Sequence, residues 1–342
     1  MNYDVTIAIP VYNAENYLRD TMMSALAQDY PSIEFLILDD CGNDNSISII
    51  HQLQHEHLRG EHIRIVSQPQ NMGVGAARNR IIDEARGEFL YFLDADDLII
   101  PTTISLLVSA ARAHDAQWVK ASYEQVKVYD NEPQRKPNVF QEKSFTNNVS
   151  FATYVIRNLG HLNTTIWNIL IKVHLLRQHQ LRFVETNFWE DMAFTYELIT
   201  YVDRAVLLPT ITYSYYCREN TLSNFQKRNN ISKSEIMRNV ATIDTVKHSC
   251  LRLLRKPYFH DWFNAVLTTD FHIVCNVIKK RQFIHPYITD SELRSFMHSP
   301  LSFFQTIHYG GIRQIVFWLM SILPPSASVY LIKIIGKAKG IL

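Results

Sequence analysis

Two kinds of apolar pattern alternate over the first 125 residues of the chain. Short apolar runs typical of strands are separated by segments whose apolar residues recur every three or four positions, as in amphipathic helices. The strand candidates are Val5–Ile9, Phe35–Leu38, Ile63–Ser67, Phe89–Leu93 and Trp118–Tyr123. This alternation predicts an α/β fold with a mostly parallel sheet flanked by helices. Ligands of such sheets bind beyond the carboxyl ends of the strands, so functional residues are expected there.

Segments that contain polar side chains follow three of the predicted strands. The segments are Pro10-Val11-Tyr12-Asn13, Asp39-Asp40 and Asp94-Ala95-Asp96-Asp97. Neighbouring carboxylates repel one another unless a cation or hydrogen bonds compensate their charge, and Mg²⁺ and Mn²⁺ prefer oxygen ligands. A solvated acidic turn before the helix that Pro101 opens is the alternative. Asn13 and Asp44 are predicted to cap the first two helices.

The composition and the predicted secondary structure change twice in the remainder of the chain. Residues 126–150 are polar and contain prolines, which predicts a loop or hairpin. Helical runs and an aromatic strand candidate near Ala205–Tyr216 follow, and from about residue 230 the pattern is helical and basic. The predicted parts are a domain over 1–225, with halves 1–125 and 126–225, and a C-terminal helical region over 226–342.

The charges are distributed unevenly. The chain has 34 Lys+Arg and 33 Asp+Glu, but residues 1–100 hold 6 and 16 of these and residues 221–342 hold 16 and 6. With 47% hydrophobic residues, the composition excludes a disordered or fibrous chain. The four cysteines form no CxxC pair, so no zinc site or disulfide framework is predicted.

The N-terminus lacks the features of a signal peptide. The longest late apolar stretch, Ile315–Leu323, has nine residues, and a membrane-spanning helix needs roughly 20. A cytoplasmic protein is therefore expected.

The last 42 residues combine apolar clusters with cations. Phe303-Phe304 and Ile315–Met320 accompany Arg313, Lys333, Lys337 and Lys339, and this stretch has no Asp or Glu. One interpretation is a peripheral association with the inner face of the cytoplasmic membrane. The other is an amphipathic helix packed on the domain over residues 1–225. No nucleic acid partner is predicted, because the cations are sparse and no motif that reads nucleic acid accompanies them.

Five segments in order resemble the signatures of family 2 glycosyltransferases with the GT-A fold. They are Ile9-Pro10-Val11-Tyr12-Asn13, Leu38-Asp39-Asp40-Cys41-Gly42-Asn43-Asp44, Asn71-Met72-Gly73-Val74-Gly75-Ala76-Ala77-Arg78-Asn79, Gly87-Glu88 and Leu93-Asp94-Ala95-Asp96-Asp97. The resemblance is strong over residues 3–125, moderate over 160–225 and fades beyond 230. It implies that residues 1–125 bind the donor nucleotide and that 126–225 form the acceptor half.

The resemblance also implies roles for single residues on the donor side. Pro10, Tyr12 and Glu15 would line the base and ribose pocket, with Asp40 hydrogen-bonded to the base and Asp39 beside it. Arg78 would lie near the nucleotide end of the site, Asp94 would face the donor sugar or ribose, and Asp96 would ligate Mn²⁺ or Mg²⁺ at the diphosphate. Cys41 and Gly42 replace the commoner Gly and Ser of the family's turn, which affects none of these roles.

An inverting transfer needs a general base that takes the proton of the acceptor hydroxyl. In Phe188-Trp189-Glu190-Asp191-Met192 two carboxylates lie among apolar residues, whose burial would raise a carboxylate pKa toward neutrality. By resemblance Asp191 would be the base, and Glu190 would contact the acceptor or orient the loop. A helix N-terminus that favours acidic residues is the alternative.

Three further assignments stay open. Arg218 resembles a residue near the diphosphate in the family, but an aromatic strand beside a loop explains it equally well. Trp167 and Asn168 resemble an acceptor-side element, and a buried core tryptophan is the alternative.

The implied activity is an inverting, metal-dependent hexosyl- or N-acetylhexosaminyl-transferase. It would move a sugar from a nucleotide-sugar donor to a hydroxyl of a glycan or lipid-linked glycan in bacterial surface polysaccharide synthesis. A UDP-sugar is the donor expected first. A sugar nucleotidyltransferase and a silent, membrane-associated glycan-binding protein are the alternatives.

Overall fold

The computed structural model of the protein divides into two compact units. It describes residues 3–129, 132–159, 165–186, 189–218 and 230–342. The first unit consists of Met1–Phe151 and Thr165–Thr221, and the second of Ala152–Thr164 and Leu222–Leu342. Residues 152–164 thus group with the C-terminal helices, where Arg157 donates a hydrogen bond to Asp261 at 2.6 Å.

The first unit is built on one large mixed sheet. Its strands are β1 (Tyr3–Val11), β2 (Ile33–Asp39), β3 (Ile63–Ser67), β4 (Gly87–Phe92), β5 (Leu98–Ile99), β6 (Trp118–Tyr129), β7 (Glu132–Asn138), β8 (Lys143–Phe145), β9 (Ile169–Lys172) and β10 (Ala205–Tyr216). The main order is β3-β2-β1-β4-β9-β6-β10-β5, with β7 paired to β6 and β8 to β10. The five predicted strands correspond to β1, β2, β3, β4 and β6, and the predicted hairpin is β6–β7.

Strand direction differs between the two halves of the sheet. β1, β2, β3 and β4 are parallel, whereas β9 runs antiparallel to both β4 and β6. The strands of the first half are parallel because short helical crossovers connect them. Those helices and the ones packed beside the later strands are α1 (Leu18–Leu26), α2 (Ser46–Glu56), α3 (Val74–Glu84), α4 (Thr103–Ala113), α5 (Asn148–Tyr154), α6 (Val173–Gln178) and α7 (Glu190–Leu198).

The second unit is mainly helical, as predicted for the C-terminal region. Its helices are α8 (Lys233–Leu253), α9 (Phe259–Lys280), α10 (Asp290–Phe296), α11 (Phe303–Tyr309), α12 (Ile312–Ile322) and α13 (Pro325–Ala338), and two short strands, β11 (Ile231–Ser232) and β12 (Ile284–His285), pair in parallel. The core contains buried residues of α9, α10 and α13, among them Phe271, Phe296 and Ile332. In the ranges that the structure describes, no helix combines the length and the apolar character needed to cross a bilayer.

Candidate active site

The carboxyl ends of β2, β1 and β4 meet at one edge of the sheet. Val11 at the end of β1 is paired with Asp39 at the end of β2, and the Asp40 N–H donates to the Val11 carbonyl at 3.0 Å. On the other side, the N–H of Leu93 donates to the carbonyl of Ala8 at 3.0 Å. The polar segments that follow these strands therefore lie side by side, as the parallel topology predicts.

The loops after β1 and β2 are joined through Asn13. This residue has a positive φ of 50°, and its side-chain oxygen accepts from the Asn43 N–H at 2.8 Å. The prediction that Asn13 caps α1 is thus wrong, because that oxygen is used across the site. A Cβ at Gly42 would lie 2.8 Å from the same oxygen, so the close approach requires glycine.

Glu15 and Asp44 link the same two loops. Glu15 Oε2 accepts from the Asn45 N–H at 2.9 Å, and Asp44 Oδ2 accepts from the Glu15 N–H at 2.9 Å. Asp44 Oδ1 also accepts from the N–H of Ser46, the first residue of α2, at 3.0 Å. Asp44 therefore satisfies a free N–H group of the helix start, as expected of a capping residue.

The other nucleotide-side residues differ in exposure. Pro10 is partly exposed, and 49% of Tyr12 is exposed, which leaves its ring accessible at the edge of the sheet. Asp39 is partly exposed and accepts from the Cys41 N–H at 3.0 Å.

The carboxylate of Asp40 is buried and already has backbone partners. Its two oxygens accept from the N–H groups of Met72 and Gly73 at 2.8 and 2.9 Å. Gly73 has a φ of 87° and precedes α3, a conformation that favours glycine. Asp40 thus holds the turn that begins α3, and its predicted contact with a nucleotide base would have to share these oxygens.

Arg78, on α3, connects the acidic turn after β4 to the start of α7. Its Nη1 donates to Glu190 Oε1 at 2.7 Å and its Nη2 to Asp94 Oδ1 at 3.3 Å. The residue is buried. Burial lowers the pKa of the guanidinium, but Asp94, Glu190 and Asp191 outweigh this effect and leave the pKa raised. Arg78 was predicted at the nucleotide end alone, and the structure also joins it to Glu190.

The following residue on α3 holds the segment that leads to Glu190. Asn79 Nδ2 donates to the Phe183 carbonyl at 2.9 Å, and the Phe183 N–H donates to Asn79 Oδ1 at 2.7 Å. A Cβ at Gly75 would lie 2.3 Å from the carbonyl oxygen of Val184. Asn79 lies within the motif Asn71–Asn79, but no role was predicted for it.

Glu190 and Asp191 begin α7. Trp189 precedes them with a φ of 57°. Glu190 is buried and Asp191 is partly buried. Burial and the neighbouring Glu190 raise the pKa of Asp191 to about 7, and burial also raises the pKa of Glu190. Asp191 is therefore a carboxylate that can accept a proton near neutral pH and remains partly accessible.

Arg218 contacts the acidic turn after β4. Its Nε donates to Asp96 Oδ2 at 3.2 Å and its Nη2 to the Asp96 carbonyl at 2.7 Å. The guanidinium carbon also lies 3.6 Å from the centre of the Tyr17 ring. Burial, followed by the charge of Asp94, raises the pKa of Asp96. The structure thus brings Arg218 to the predicted metal ligand.

Asp97 has a structural role in the same turn. It is fully buried. Its oxygens accept from the Tyr213 hydroxyl at 2.6 Å and from the Tyr216 N–H at 2.8 Å. These bonds attach the turn to β10.

Trp167 and Asn168 lie beneath the surface beside β4. Trp167 is 5% exposed and stacks on Tyr213 with ring centroids 4.6 Å apart. Asn168 is completely buried, donates to the Ala121 carbonyl at 2.8 Å and accepts from the Tyr91 hydroxyl at 3.1 Å. The amide of Asn168 is therefore used in hydrogen bonds to β4 and β6 inside the sheet.

The acidic turn is compatible with a divalent cation bound together with phosphate. Asp94 and Asp96 have side chains that are 27% and 31% exposed, and their charges interact. Mg²⁺ sites commonly use one or two carboxylates, with water and substrate phosphates as the other ligands. Among the residues described by the structure, no group of three or more His, Cys, Asp or Glu side chains is arranged to hold a metal alone.

Comparison with known proteins identifies the class. Residues 6–171 match the family model described as "Glycosyl transferase family 2", and this region of the chain belongs to that family. The family resemblance predicted from the five motifs is thereby confirmed. The α/β fold predicted from the alternating apolar pattern agrees with the observed sheet and helices.

The curated relatives extend beyond the part that this chain matches. The chain is 25% identical over 237 residues to the succinoglycan biosynthesis protein ExoO of Rhizobium meliloti, covering 67% of this chain and 65% of that protein. It is 40% identical over 95 residues to an uncharacterized glycosyltransferase of Haemophilus influenzae, covering 28% and 37%. The matched part is thus less than two thirds of either relative.

Two solved structures share the fold. S. aureus TarS 1-349 in complex with UDP-GlcNAc superimposes with a TM-score of 0.59 at 15% identity, over 94% of this chain and 90% of that chain. The mannosyltransferase PcManGT of Pyrobaculum calidifontis, in complex with GDP-Man and Mn²⁺, gives a TM-score of 0.55 at 14% identity, over 82% and 74%. At these identities the likeness establishes the fold.

Proposed function

We propose that this protein transfers a sugar, with inversion, from a nucleotide-sugar donor to a hydroxyl group of a glycan or lipid-linked glycan. A UDP-sugar is the first candidate donor, and bacterial surface polysaccharide synthesis is the proposed setting. The observation that carries the proposal is the chain of contacts from Asp94 through Arg78 to Glu190, next to Asp191. It joins a donor-side carboxylate to a carboxyl group that can accept a proton near pH 7.

Asp191 is the proposed general base. In an inverting transfer the acceptor hydroxyl loses its proton as its oxygen attacks the anomeric carbon, opposite the leaving nucleoside diphosphate. A base is most effective when its pKa lies near the working pH, and burial raises that of Asp191 to about 7. Glu190 stays paired with Arg78 and orients the start of α7.

The donor would bind along the carboxyl edge of β2, β1 and β4. The exposed Tyr12 ring can stack on a nucleotide base, and Pro10, Glu15, Asp39 and Asp40 form the neighbouring wall. Asp96 would hold Mn²⁺ or Mg²⁺, which when bound would neutralise charge on the leaving diphosphate. Arg218 lies against Asp96 and can contact the same phosphates.

Two lines of support come from similar proteins. TarS is described with UDP-GlcNAc and the Pyrobaculum mannosyltransferase with GDP-Man and Mn²⁺. ExoO is named for succinoglycan biosynthesis. These names favour a nucleotide-sugar donor, a divalent metal and a polysaccharide product for this chain.

A thermal-shift titration tests the donor proposal. UDP, GDP, CDP, dTDP and NAD⁺ are each added with and without Mn²⁺, since a ligand that binds only the folded state raises the melting temperature. We expect one nucleoside diphosphate to raise it in a Mn²⁺-dependent way, and Asp96→Ala to abolish the shift. Asp203→Ala, at an exposed position, is the matched control and should behave as wild type.

The alternatives give different results in the same preparation. Release of pyrophosphate from a nucleoside triphosphate and a sugar phosphate would indicate a nucleotidyltransferase. No shift with any nucleotide and no turnover of any nucleotide sugar would contradict the proposed transfer and favour a silent glycan-binding protein.

We further propose that the second unit binds the surface of anionic membranes, where a lipid-linked acceptor would lie. Val316, Phe317 and Met320 of α12 pack into the core of this unit. Other apolar side chains of α11, α12 and α13 are exposed, with Phe304 and Ile312 both at 82%. We call this set the C-terminal apolar residues: Phe303, Phe304, Ile307, Ile312, Leu319, Ile322, Tyr330 and Ile334.

The charge around these residues favours anionic lipid over a neutral surface. Arg313, Lys333, Lys337 and Lys339 are exposed, and residues 301–342 contain no acidic side chain. Apolar side chains that enter the interface, with cations beside them, are the combination that binds anionic bilayers. A peripheral location at the cytoplasmic face of the membrane is the proposed consequence.

A further inference from the structure

The start of α1 lies against the acidic turn that follows β4. Thr21 on this helix is completely buried, and its hydroxyl donates to the carbonyl of Ala95 in that turn at 3.0 Å. The Thr21 N–H donates to the Tyr17 carbonyl at 3.2 Å, so these two residues are one helical turn apart. Residues four positions apart are neighbours on the surface of a helix. Tyr17 is therefore on the side of α1 that faces the acidic turn.

The ring of Tyr17 contacts the guanidinium group of Arg218. The Cζ atom of Arg218 lies 3.6 Å from the centre of this ring and 5.0 Å from the centre of the Tyr216 ring. A guanidinium over an aromatic face is attracted to the ring within about 6 Å. Tyr17 is 40% exposed and the Arg218 side chain 24%, so solvent reaches the contact only in part. Tyr17 is thus the closer of these two aromatic partners of Arg218.

The same guanidinium is bound to the acidic turn through Asp96. Its Nε donates to Asp96 Oδ2 at 3.2 Å and its Nη2 to the Asp96 carbonyl at 2.7 Å. Arg218 lies two positions beyond Tyr216, where β10 ends, so side-chain contacts rather than strand pairing set its position. An arginine side chain has many rotamers, and the contacts that order it must offset the lost freedom. The Tyr17 ring and Asp96 together keep the guanidinium in one place.

A ring and a carboxylate affect the charge of arginine differently. Asp96 neutralises part of that charge, and in the proposed site this carboxylate would also bind a metal ion. An aromatic ring attracts the guanidinium through its quadrupole and carries no net charge. Tyr17 can therefore hold Arg218 in place while the positive charge stays available to the oxygens of a diphosphate, which arginine binds through paired hydrogen bonds.

We propose that Tyr17 is a positioning residue for the transfer reaction, whose ring holds Arg218 where it contacts the diphosphate of the donor. The inference rests on the proposed function, in which Asp96 and Arg218 lie at the leaving diphosphate. An arginine that is already oriented loses less conformational freedom when the donor binds. Tyr17 should therefore strengthen binding of the phosphate groups and leave binding of the nucleoside unchanged.

Thermal-shift titrations with UDP and with uridine separate recognition of the phosphates from recognition of the nucleoside. Both ligands are titrated at constant Mn²⁺, and dissociation constants are obtained from the rise in melting temperature. If the donor screen selects another base, its diphosphate and nucleoside replace UDP and uridine. The proteins are wild type, Tyr17→Leu, Tyr17→Phe, Arg218→Met and the double variant of Tyr17→Leu with Arg218→Met. Tyr287→Leu is the matched control, because the Arg281 guanidinium lies 4.4 Å from the centre of the Tyr287 ring in the second unit.

Loss of the ring is expected to affect the diphosphate alone. Tyr17→Leu should weaken UDP binding by about 2–30-fold, which is the strength of a cation–π contact expressed as a ratio of affinities, and should leave uridine binding unchanged. Tyr17→Phe keeps the ring and should bind UDP nearly as wild type does. In the Arg218→Met background, Tyr17→Leu should have no further effect, because the ring then has no cation to hold. Tyr287→Leu should bind both ligands as wild type does.

Three results would overturn the inference: unchanged UDP binding in Tyr17→Leu, equal weakening of UDP and uridine, or independent losses that add in the double variant. If Tyr17→Leu does not fold, Tyr17→Met supplies another side chain without a ring. Failure of the proposed function gives a different result. Wild type would then bind no nucleoside diphosphate in a Mn²⁺-dependent way, whereas failure of the inference alone leaves this binding and its loss in Asp96→Ala intact.

Discussion

Arg78 Nη1 lies 2.7 Å from Glu190 Oε1, across 112 positions of the chain. The same guanidinium donates to Asp94 at 3.3 Å through its second terminal nitrogen. One side chain therefore fixes the acidic turn after β4 and the start of α7 relative to each other. A charge at this buried position is stable because both carboxylates face it.

The first prediction concerns this pairing. Arg78→Met would leave buried carboxylates without their partner, and breaking a buried ion pair costs about 3–5 kcal/mol of folding free energy. We expect a lower free energy of unfolding in a denaturant titration. Arg80→Met is the control, because Arg80 is on the same helix and its side chain is 54% exposed. A stability equal to wild type for Arg78→Met would contradict the structural role of this contact.

The second prediction concerns the proposed base. Asp191→Asn should bind the donor nucleotide as tightly as wild type but lose transfer by a factor of about 10²–10⁴, the usual contribution of general base catalysis. Transfer is measured with radiolabelled nucleotide sugar and membranes of the source cells as acceptor. Asp203→Asn serves as the control. Transfer at the normal rate in Asp191→Asn would show that another group takes the proton.

The third prediction concerns the pH dependence of stability. The pKa of Asp191 is about 7 in the folded state and about 3.9 in an unfolded chain. Between these values the folded state binds more protons, so the stability contributed by this group is lost as the pH rises through 7. Asp191→Asn should therefore gain stability relative to wild type from pH 5 to pH 8. Melting temperatures of both proteins across this range provide the test, and a constant difference would refute the expected ionisation.

The fourth prediction concerns the contact between α3 and the segment before α7. Asn79→Ala removes both hydrogen bonds to the Phe183 backbone and should cost about 1–3 kcal/mol, since it leaves backbone groups unsatisfied. Transfer should fall more than donor affinity, because the loss affects the base segment. Arg80→Ala, at the next position on α3, is the control. Unchanged stability and transfer would mean that Asn79 does not hold this segment.

The fifth prediction concerns the membrane. Vesicles of phosphatidylglycerol and phosphatidylcholine should sediment the wild-type protein, and pure phosphatidylcholine vesicles much less. The double variant Phe304→Ser and Ile312→Ser should lose most of this binding. Leu58→Ser changes an apolar side chain that is 98% exposed in the first unit and should retain it. Equal binding by the double variant and wild type would remove the C-terminal apolar residues from the proposed contact.

The local elements of the fold could be predicted because they depend on short-range patterns. Strands such as Ile63–Ser67 show in the apolar spacing of the sequence, and the observed β3 has the same bounds. The parallel direction of β1 to β4 follows from the helices that connect them, so the placement of Asp40 and Asp94 at one edge of the sheet was also predictable. Helix caps were harder to predict from the sequence. Asn13 does not cap α1, because its side-chain oxygen accepts a hydrogen bond from another loop.

The sequence by itself determined the α/β class, the family motifs and the acidic residues that are proposed for the site. Only the tertiary structure decided that Arg78 pairs with Glu190, that Asn79 holds Phe183 and that the amide of Asn168 is buried. The physical reason is distance along the chain. Strand and helix patterns arise from neighbouring residues, whereas these contacts join positions far apart whose approach depends on how β4, β6, α3 and α7 pack.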